Sequence, residues 1–264
     1  MQCFEAVDPV RPVAPWLGGK RNLAKRLVAR INAVPHDTYA EAFVGMGGVF
    51  LRRDRRPKCE VINDASQDVA NLFRVLEHHY VAFTDMIRFQ ISSRANFERL
   101  SKQDPETLTD MRRAARFLYL QRLAFGGKIG RNQSFGVAPG RPGSFDISKL
   151  TPMLQELGER MAGVTIECLD WQAFVRRWDR PNTLFFLDPP YFGFENKYGA
   201  GLFDRSQFEV MAQILAGIRG RFILSLNDHP EIRRIFAAFD LEEVGTTYTT
   251  GPKAKAAREL IISN

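Results

Sequence analysis

Residues 38–51 read Thr-Tyr-Ala-Glu-Ala-Phe-Val-Gly-Met-Gly-Gly-Val-Phe-Leu, and this stretch decides the fold class. The stretch up to Phe43 predicts a buried strand, and the three glycines after it predict a turn that opens a short helix. These glycines are Gly45, Gly47 and Gly48. Glycine in such a turn lets the backbone approach a ligand closely, although a purely structural turn is the alternative interpretation.

An acidic residue follows this turn at the spacing expected of a nucleotide-binding fold. The next predicted strand is Glu60–Asn63, Asp64 follows it, and a helix is predicted over 67–79. A carboxylate about 20 residues beyond the glycines suits a ribose, whereas capping of the following helix is the alternative role for Asp64. A dinucleotide motif needs its third glycine further along the chain. The pattern therefore favours an adenosyl ligand without phosphate.

The alternation of strand and helix extends through most of the chain. The other predicted elements are strands 164–169, 183–187 and 221–226, helices 22–32, 206–218 and 229–236, and a closing antiparallel pair, 241–249 with 258–263. Strands that alternate with helices indicate a parallel sheet. We therefore expect an α/β fold with a mostly parallel sheet and a terminal antiparallel strand.

Residues 81–150 break this alternation. They begin with arginine-rich helical patterns and continue into residues 126–140, which hold too many glycines for a helix. We predict that 81–150 form an inserted, mainly helical domain. Residues 1–80 and 151–264 would together form the other domain.

Positive charge is concentrated in this predicted insert. The net charge is +7, and residues 111–141 hold seven Lys or Arg residues with no Asp or Glu. Such an excess favours a polyanionic partner, because these side chains contact phosphates or read guanine and adenine edges. For any one arginine, a solvated surface position is the alternative. The candidate DNA-binding residues are Arg116, Arg122, Lys128, Arg131, Asn132 and Gln133.

The cysteine and histidine positions predict neither disulfides nor a metal site. The three cysteines lie far apart, at residues 3, 59 and 168, and the four histidines show no metal-ligand spacing. The N-terminal residues lack the features of a signal peptide, and no apolar run reaches the length of a membrane span. We expect a cytoplasmic protein without a membrane partner, monomeric on its own, with a dimer on DNA left open.

The tetrapeptide Asp188-Pro189-Pro190-Tyr191 directly follows the buried strand 183–187. It therefore lies at the carboxyl edge of the sheet, where open α/β folds bind ligands. The prolines fix the backbone, so their carbonyls are rigid acceptors beside a carboxylate and an aromatic ring. This set suits the exocyclic amine of a flat base, because Asp188 and the Pro189 carbonyl can accept its two N–H groups while Tyr191 stacks on it. A stiff strand exit with a capping aspartate is the alternative interpretation.

Several motifs, in order along nearly the whole chain, resemble the Dam-type, or D12 class, of adenine-specific DNA methyltransferases. The matching segments are 15–20 (WxGGK), 40–50 (EPFxGxGxVF), 63–64 (ND), 117–127 (YLNR…FNG), 135–140 (FNVPxG), 188–191 (DPPY) and 259–264 (the closing strand). The resemblance implies a Rossmann-like methyltransferase sheet with an inserted target-recognition domain. The irregular basic insert predicted above occupies the same place in the order of elements.

The resemblance also implies an activity, which is methyl transfer from S-adenosylmethionine to adenine N6 in double-stranded DNA, with the target base everted. The catalytic residues that it implies are Asp188, Pro189, Pro190 and Tyr191. In the cofactor site, Trp16 would form a wall, Lys20 would neutralise the cofactor carboxylate, unless it is a surface residue, and Asp170 would contact the cofactor adenine. The full set of expected cofactor-binding residues is Trp16, Lys20, Glu41, Phe43, Gly45, Gly47, Gly48, Asp64, Asp170 and Asp188.

The chain departs from the family pattern within the insert. Gln121 stands where the family has Asn, Gly126 replaces the Asn of FNG, and 128–134 do not match members that read GATC, so the target sequence is open. Methylation of cytosine N4 or of an RNA base is an alternative, because related motifs serve other amino groups. A DNA-binding protein without catalytic activity on the same fold is another. An orphan enzyme, a restriction partner and a phage-borne enzyme all fit the sequence.

Overall fold

The computed structural model describes residues 4–130, 133–137, 140, 142–195, 203–248 and 255–264. Arg131 and Asn132, two candidate DNA-binding residues, lie outside the described residues. The strands are β1 Glu5–Ala6, β2 Thr38–Glu41, β3 Arg55–Arg56, β4 Cys59–Asn63, β5 Thr165–Glu167, β6 Thr183–Leu187, β7 Arg221–Asn227, β8 Asp240–Tyr248 and β9 Lys255–Ser263. The α-helices are α1 Ala24–Ala33, α2 Gln67–His78, α3 Tyr80–Ile87, α4 Arg94–Lys102, α5 Asp110–Leu123, α6 Ile147–Met161, α7 Trp171–Trp178, α8 Gln207–Ala216 and α9 Pro230–Ile235.

Within the described residues, the main sheet has seven strands in the order β5-β4-β2-β6-β7-β9-β8. Strand β9 is antiparallel to both of its neighbours, and the remaining pairs are parallel. From β2 the chain moves outward to β4 and β5 and then returns to β6 on the other side of β2. Open α/β sheets bind ligands at the carboxyl ends of the strands where the order reverses in this way. The expected fold class is confirmed.

Two predicted elements differ from the observed ones for identifiable reasons. The helix predicted after the glycine turn is a single 3-10 turn, Phe50–Arg52, because Arg53 is already extended (φ −71°, ψ 140°) as the chain turns toward β3. Strand β5 is shorter than predicted. The backbone N–H of Leu169 bonds to the Asn63 side chain (2.8 Å) instead of continuing the ladder, and Asp170 then begins α7.

The predicted insert packs on the same face of the sheet as α2. Leu72 of α2, Leu118 of α5 and Leu154 of α6 are fully buried in one hydrophobic cluster. The sequence pattern did not predict α6, which Asp146 caps by accepting a hydrogen bond from the Ser148 N–H (3.2 Å). The predicted boundary at residue 150 therefore falls inside this helix, and the division into two domains stays a prediction.

A second hydrophobic cluster covers the opposite face of the sheet. It contains Phe174 of α7, Met211 of α8 and Ile232 of α9, packed against strand residues such as Phe185 and Leu224. The sheet is therefore buried on both faces, as parallel sheets usually are. Among the helices of the described ranges, none has both the length and the apolar character needed to cross a membrane.

Candidate active site

A cavity of about 1010 Å³ opens at the carboxyl ends of β2, β4 and β6. Eight of the predicted cofactor-binding and catalytic residues line it, namely Trp16, Lys20, Glu41, Phe43, Gly48, Asp64, Asp188 and Pro190, and so does Arg122, a candidate DNA-binding residue. Asp188 and the glycine turn therefore share one cavity, as the hypothesis of methyl transfer requires. In the described part of the chain, no group of three or more His, Cys, Asp or Glu side chains is arranged to hold a metal ion.

The glycine turn is closed over by an indole ring. Gly45 and Gly47 have positive φ values of +50° and +74°, which side chains rarely tolerate. A Cβ atom on Gly45 would lie 2.5 Å from Nε1 of Trp16, and one on Gly47 would lie 2.7 Å from Cγ of Leu51. Glycine is therefore required here both by the backbone conformation and by the close approach of Trp16, which also lines the cavity.

Asp64 joins the end of β4 to the glycine turn. Its carboxylate accepts hydrogen bonds from the backbone N–H groups of Gly45 (2.8 Å) and Ser66 (2.9 Å). Burial raises the pKa of Asp64 to about 6, although both hydrogen bonds act to lower it. Each carboxylate oxygen has a further lone pair, and Asp64 lines the cavity, so it can also accept from a ligand hydroxyl. Its structural role and the predicted ribose contact are compatible.

Asp188 is held at the cavity by Lys20. The Lys20 Nζ lies 2.5 Å from Oδ1 of Asp188, and the two side chains are 3% and 19% exposed. The same Nζ lies 4.4 Å from the ring centroid of Tyr191. Burial raises the pKa of Asp188 to about 6, Lys20 opposes this shift, and the charge of Glu259 adds to it. Lys20 is thus not a surface residue, and its partner here is the predicted catalytic carboxylate.

Glu41 is the third carboxylate of the cavity. It is only 2% exposed, and its Oε2 accepts a hydrogen bond from the Tyr39 hydroxyl (2.6 Å). Burial raises the pKa of Glu41 to about 8; the Tyr39 hydrogen bond lowers it and the charge of Asp188 raises it. Because burial raises the pKa of Glu41, Asp64 and Asp188 alike, a cation bound among them would favour their ionised forms.

The remaining predicted site residues lie beside the cavity or outside it. Pro189 is buried and Tyr191 is half-buried against the second hydrophobic cluster, both next to Pro190 of the cavity wall. Asp170 is exposed and does not line the cavity; it caps α7 by accepting a hydrogen bond from the Gln172 N–H (2.9 Å). The structure therefore brings most of the predicted cofactor and catalytic residues to one cavity. Gly45, Gly47, Pro189 and Tyr191 adjoin its lining in sequence, and Asp170 lies apart.

Most of the described candidate DNA-binding residues already have internal partners. Arg116 donates to the Leu100 carbonyl (2.8 Å), and Arg122 donates to the carbonyls of Val13 (2.6 Å) and Ser144 (2.6 Å). Gln133 donates to the Lys128 carbonyl (2.7 Å) and, at 3.3 Å, to Gln121. The side chain of Lys128 is exposed. Contact between these residues and DNA stays a prediction.

Gln121, which departs from the family pattern, fastens the insert to the N-terminal segment. Its side-chain amide donates to the carbonyls of Pro15 (2.8 Å) and Gly127 (2.9 Å), and it is fully buried. The Leu17 N–H also donates to the Gly127 carbonyl (3.0 Å). The glycine-rich stretch of the insert is therefore anchored next to Trp16 and the cavity.

Sequence reasoning missed Asn227, which holds the backbone just after Tyr191. The Asn227 Oδ1 accepts from the Phe192 N–H (2.9 Å), and its amide donates to the Phe192 carbonyl (3.1 Å). A positional signal existed, because Asn227 is a polar residue at the carboxyl end of a buried strand. Tyr39 was also missed, although it lies two residues from Glu41 on a strand and therefore on the same face.

The strand order with its antiparallel β9, and a cavity at the β2/β6 switch point, define a Rossmann-like methyltransferase. The family model of the D12 class N6 adenine-specific DNA methyltransferases matches residues 16–250. The chain belongs to this family and is therefore an adenine-specific DNA methyltransferase. Membership of the family implies chemistry that depends on S-adenosylmethionine.

Two relatives agree with this assignment. The Type II methyltransferase M1.LlaDCHI of Lactococcus lactis subsp. cremoris is 22% identical over 278 residues, which cover 97% of this chain and 95% of that protein. The DNA N-6-adenine-methyltransferase of Escherichia phage P1 is 24% identical over 247 residues, which cover 88% of this chain. This chain spans only 32% of the length of the phage protein.

Solved structures overlap with this fold only loosely. A candidate RNA methyltransferase from Pyrococcus horikoshii has 8% identity and a TM-score of 0.41, with 91% of this chain and 82% of that chain covered. A candidate methyltransferase from Escherichia coli, yhhF, has 11% identity and a TM-score of 0.40, with 98% and 90% covered. The assignment above therefore depends on the family match and the strand order.

Proposed function

We propose that this one cavity binds S-adenosylmethionine against the glycine turn and an everted adenine against Asp188–Tyr191. One observation carries the proposal. The Lys20 ammonium donates to the Asp188 carboxylate at 2.5 Å while it lies 4.4 Å from the centre of the Tyr191 ring. A nitrogen donor thus already occupies, in this site, the relation to carboxylate and ring that we assign to the adenine N6 amine.

The residues present fit the cofactor. The backbone of the glycine turn allows close approach under the Trp16 indole, and Asp64 supplies an acceptor for ribose hydroxyls. The cofactor has a sulfonium and an ammonium group, and Glu41 and Asp188 supply carboxylates to balance them. When bound, it supplies a methyl group on a positively charged sulfur. Phe43 and Gly48 complete the wall that would hold it.

The tetrapeptide would act on the amine of the base. Asp188 accepts one N–H at Oδ1, the rigid Pro189 carbonyl accepts the other, and Tyr191 stacks on the ring. Two fixed acceptors localise the nitrogen lone pair, which is otherwise delocalised into the purine. With a pKa of about 6, Asp188 is mainly ionised at neutral pH and can also take up a proton lost by the amine. When the amine binds, Lys20 must then either break its contact with Oδ1 of Asp188 or share that oxygen with the amine. Positioning and fixed dipoles would supply most of the rate.

Duplex DNA is the substrate that the family and the charge distribution favour. We assign target recognition to residues 81–150, in which Lys128 is the described candidate with an exposed side chain. Gln121 and Arg122 tie this segment to the rim of the cavity, so a sequence bound by the insert would lie next to the catalytic site. The protein is expected to be a monomer on its own, and a dimer on DNA stays an alternative.

Methylation mapping tests the substrate. Plasmid DNA from a methylation-free host that expresses the protein gives the recognition sequence, and synthetic duplexes with that sequence then give the product nucleoside by mass spectrometry. We expect N6-methyladenine. N4-methylcytosine, or methylation of RNA alone, would contradict the substrate assignment, and DNA binding without transfer would favour the non-catalytic alternative.

Eversion of the base needs a separate measurement. A duplex with 2-aminopurine in place of the target adenine becomes more fluorescent when that base leaves the stack. We expect an increase on binding, and none when 2-aminopurine stands at a neighbouring adenine outside the target position. Equal responses at the two positions would contradict eversion of the target base.

A further inference from the structure

Carboxylates line the interior of the cavity, whereas arginines crowd its rim. Arg11, Arg21 and Arg52, called here the arginine cluster, all line the cavity. Arg11 and Arg21 are exposed, and Arg52 is half-buried. In the part of the chain that the structure describes, none of the three pairs with a carboxylate. None of the three is among the sequence-predicted site residues.

The backbone brings these arginines together from three segments. The Val10 N–H donates to the Leu51 carbonyl (2.7 Å), which places Arg11 beside Arg52. Arg52 in turn donates from Nη1 to the Gly48 carbonyl (2.6 Å). A Cβ atom on Gly48 would lie 3.5 Å from the backbone nitrogen of Lys20, the residue before Arg21. The N-terminal segment, the glycine turn and the 3-10 turn thus converge at this rim.

The three positive charges of the arginine cluster repel one another. Burial lowers the pKa of Arg52, and the charges of Arg21 and Arg11 lower it further. Three like charges at one rim repel each other, so an anion bound there would relieve that repulsion. Guanidinium groups are well suited to phosphate oxygens, because their planar fork can donate two parallel hydrogen bonds.

Three arginines of the insert, unlike those of the arginine cluster, have partners within the protein. Arg113 pairs with Asp68 (2.5 Å) and Glu106 (3.0 Å), and Arg116 and Arg122 donate to backbone carbonyls. These contacts hold the fold together and leave fewer donors for DNA. The arginine cluster, by contrast, combines two exposed side chains with a place on the lining of the cavity that contains Asp188.

We propose that Arg11, Arg21 and Arg52 bind a backbone phosphate of the DNA strand that carries the everted adenine. This inference rests on the proposed function, because that function places the adenine in the cavity and its sugar-phosphate at the rim. The cofactor is a poorer match for the cluster. Its single carboxylate is outweighed by an ammonium and a sulfonium, and a net cation gains nothing from three guanidinium groups.

The test measures how DNA binding depends on salt. The double variant Arg11→Gln/Arg21→Gln is compared with the native chain on a labelled duplex that carries the mapped target sequence. The control is Arg180→Gln/Arg219→Gln, the same charge change at two exposed residues near the amino ends of β6 and β7, at the opposite edge of the sheet. Calorimetry with S-adenosylmethionine alone is run on all three proteins.

We expect the slope of log K against log salt to become about one unit shallower, and binding to weaken by about tenfold, in the cluster variant only. The KM for DNA should rise while kcat at saturating DNA stays close to native, and cofactor affinity should not change. The variant Arg52→Lys, which keeps the charge but not the fork, should show a smaller loss.

Two results would overturn the inference alone. In one, the native chain methylates adenine and the cluster variant has the same slope as the control. In the other, the cluster variant loses cofactor affinity while its DNA binding is unchanged, which would make the cluster part of the cofactor site. A native chain that neither binds the duplex nor methylates adenine would instead overturn the proposed function, and this inference with it.

Discussion

The network around Glu60 and the pair of Lys20 with Asp188 differ in what lies beside them. Glu60 bonds both Arg53 (2.5 Å) and Arg160 (2.7 and 2.8 Å), and all three side chains are enclosed in the core. Lys20 and Asp188 are equally close at 2.5 Å, but their pair borders the cavity. A ligand therefore cannot reach Glu60 or its arginine partners. A ligand in the cavity can reach Asp188 and replace Lys20 as its partner.

This difference separates structural charges from those that can act on a substrate. The Glu60 network ties strand β4 to α6, and its arginines lie over aromatic rings, Arg53 at 3.8 Å from the Tyr39 centroid and Arg160 at 4.3 Å from that of Phe50. Burial of charge alone is thus no sign of a catalytic site. A buried charge is better evidence of a catalytic site when it borders a cavity and a ligand can replace its partner.

Breaking the core network should have the largest effect. Glu60→Gln leaves two buried arginines without a counter-charge, so the free energy of unfolding should fall by about 3–5 kcal/mol. Chemical denaturation measures this change. The matched control is Glu231→Gln, which removes an exposed pair with Arg234 and should have little effect. Equal losses in the two variants would show that the core network is not structural.

Asp188→Asn should act on the reaction more than on the fold. The amide cannot take up a proton and is a weaker acceptor, so the single-turnover rate of methyl transfer should fall by about 10²–10³-fold, the effect of losing one preorganised electrostatic partner. Because the pair borders the cavity, stability should fall less than in Glu60→Gln. The rates are compared with cofactor and duplex both saturating, as calorimetry establishes for each protein, because Asp188 is also one of the proposed cofactor-binding residues. A rate within threefold of native would remove Asp188 from the proposed mechanism.

Asn227→Ala tests whether the reaction at Asp188 needs the backbone at Phe192 to be held in place. The variant loses both hydrogen bonds to Phe192, so unfolding free energy should fall by about 1–3 kcal/mol. We expect a loss in kcat with little change in the KM for DNA, since the residue holds the catalytic segment without touching DNA. Asn182→Ala, which removes a bond to Asp37 at the far edge of the sheet, is the control. If both variants lower kcat equally, Asn227 has no specific role in holding the catalytic segment.

The smallest effect expected is a pH dependence. Asp188 must be ionised to accept the amine, and its pKa of about 6 lies above its ordinary value. Methyl transfer should therefore be constant above about pH 7 and fall as pH drops through 6, reaching about a tenth of the plateau at pH 5. Single-turnover rates across this range measure the step. The step should vanish in Asp188→Asn, and a flat native profile would contradict the assignment.

Much of the fold could be predicted because its signals are local. Runs such as 184–187 are apolar without interruption, and the glycine turn and the tetrapeptide 188–191 mark strand ends directly. Helix α6 was missed although Leu150, Leu154 and Leu157 have helical spacing, because Pro152 interrupts the local helix signal. Strand β5 was predicted too long because the Asn63 side chain replaces part of its ladder.

The site was predictable only where one residue carries its own motif. Glu41, Asp64 and Asp188 stand at strand ends and could be named from sequence. The pairing of Lys20 with Asp188 joins residues far apart in the chain, and nothing local reveals it. The arginine cluster was hidden for the same reason, since its members come from three segments. Charge counts pointed instead to the insert, where Arg116 and Arg122 donate to backbone carbonyls and Arg113 pairs with carboxylates.

The indole that covers Gly45 has a practical consequence. Of the three tryptophans in the sequence, Trp16 lines the cavity, while Trp171 and Trp178 pack in the cluster on the opposite face of the sheet. A molecule entering beside the glycine turn changes the surroundings of one fluorophore and leaves the other two as a constant background. The protein thus contains its own optical probe of occupancy, which needs no attached dye and can be read in real time by stopped-flow emission.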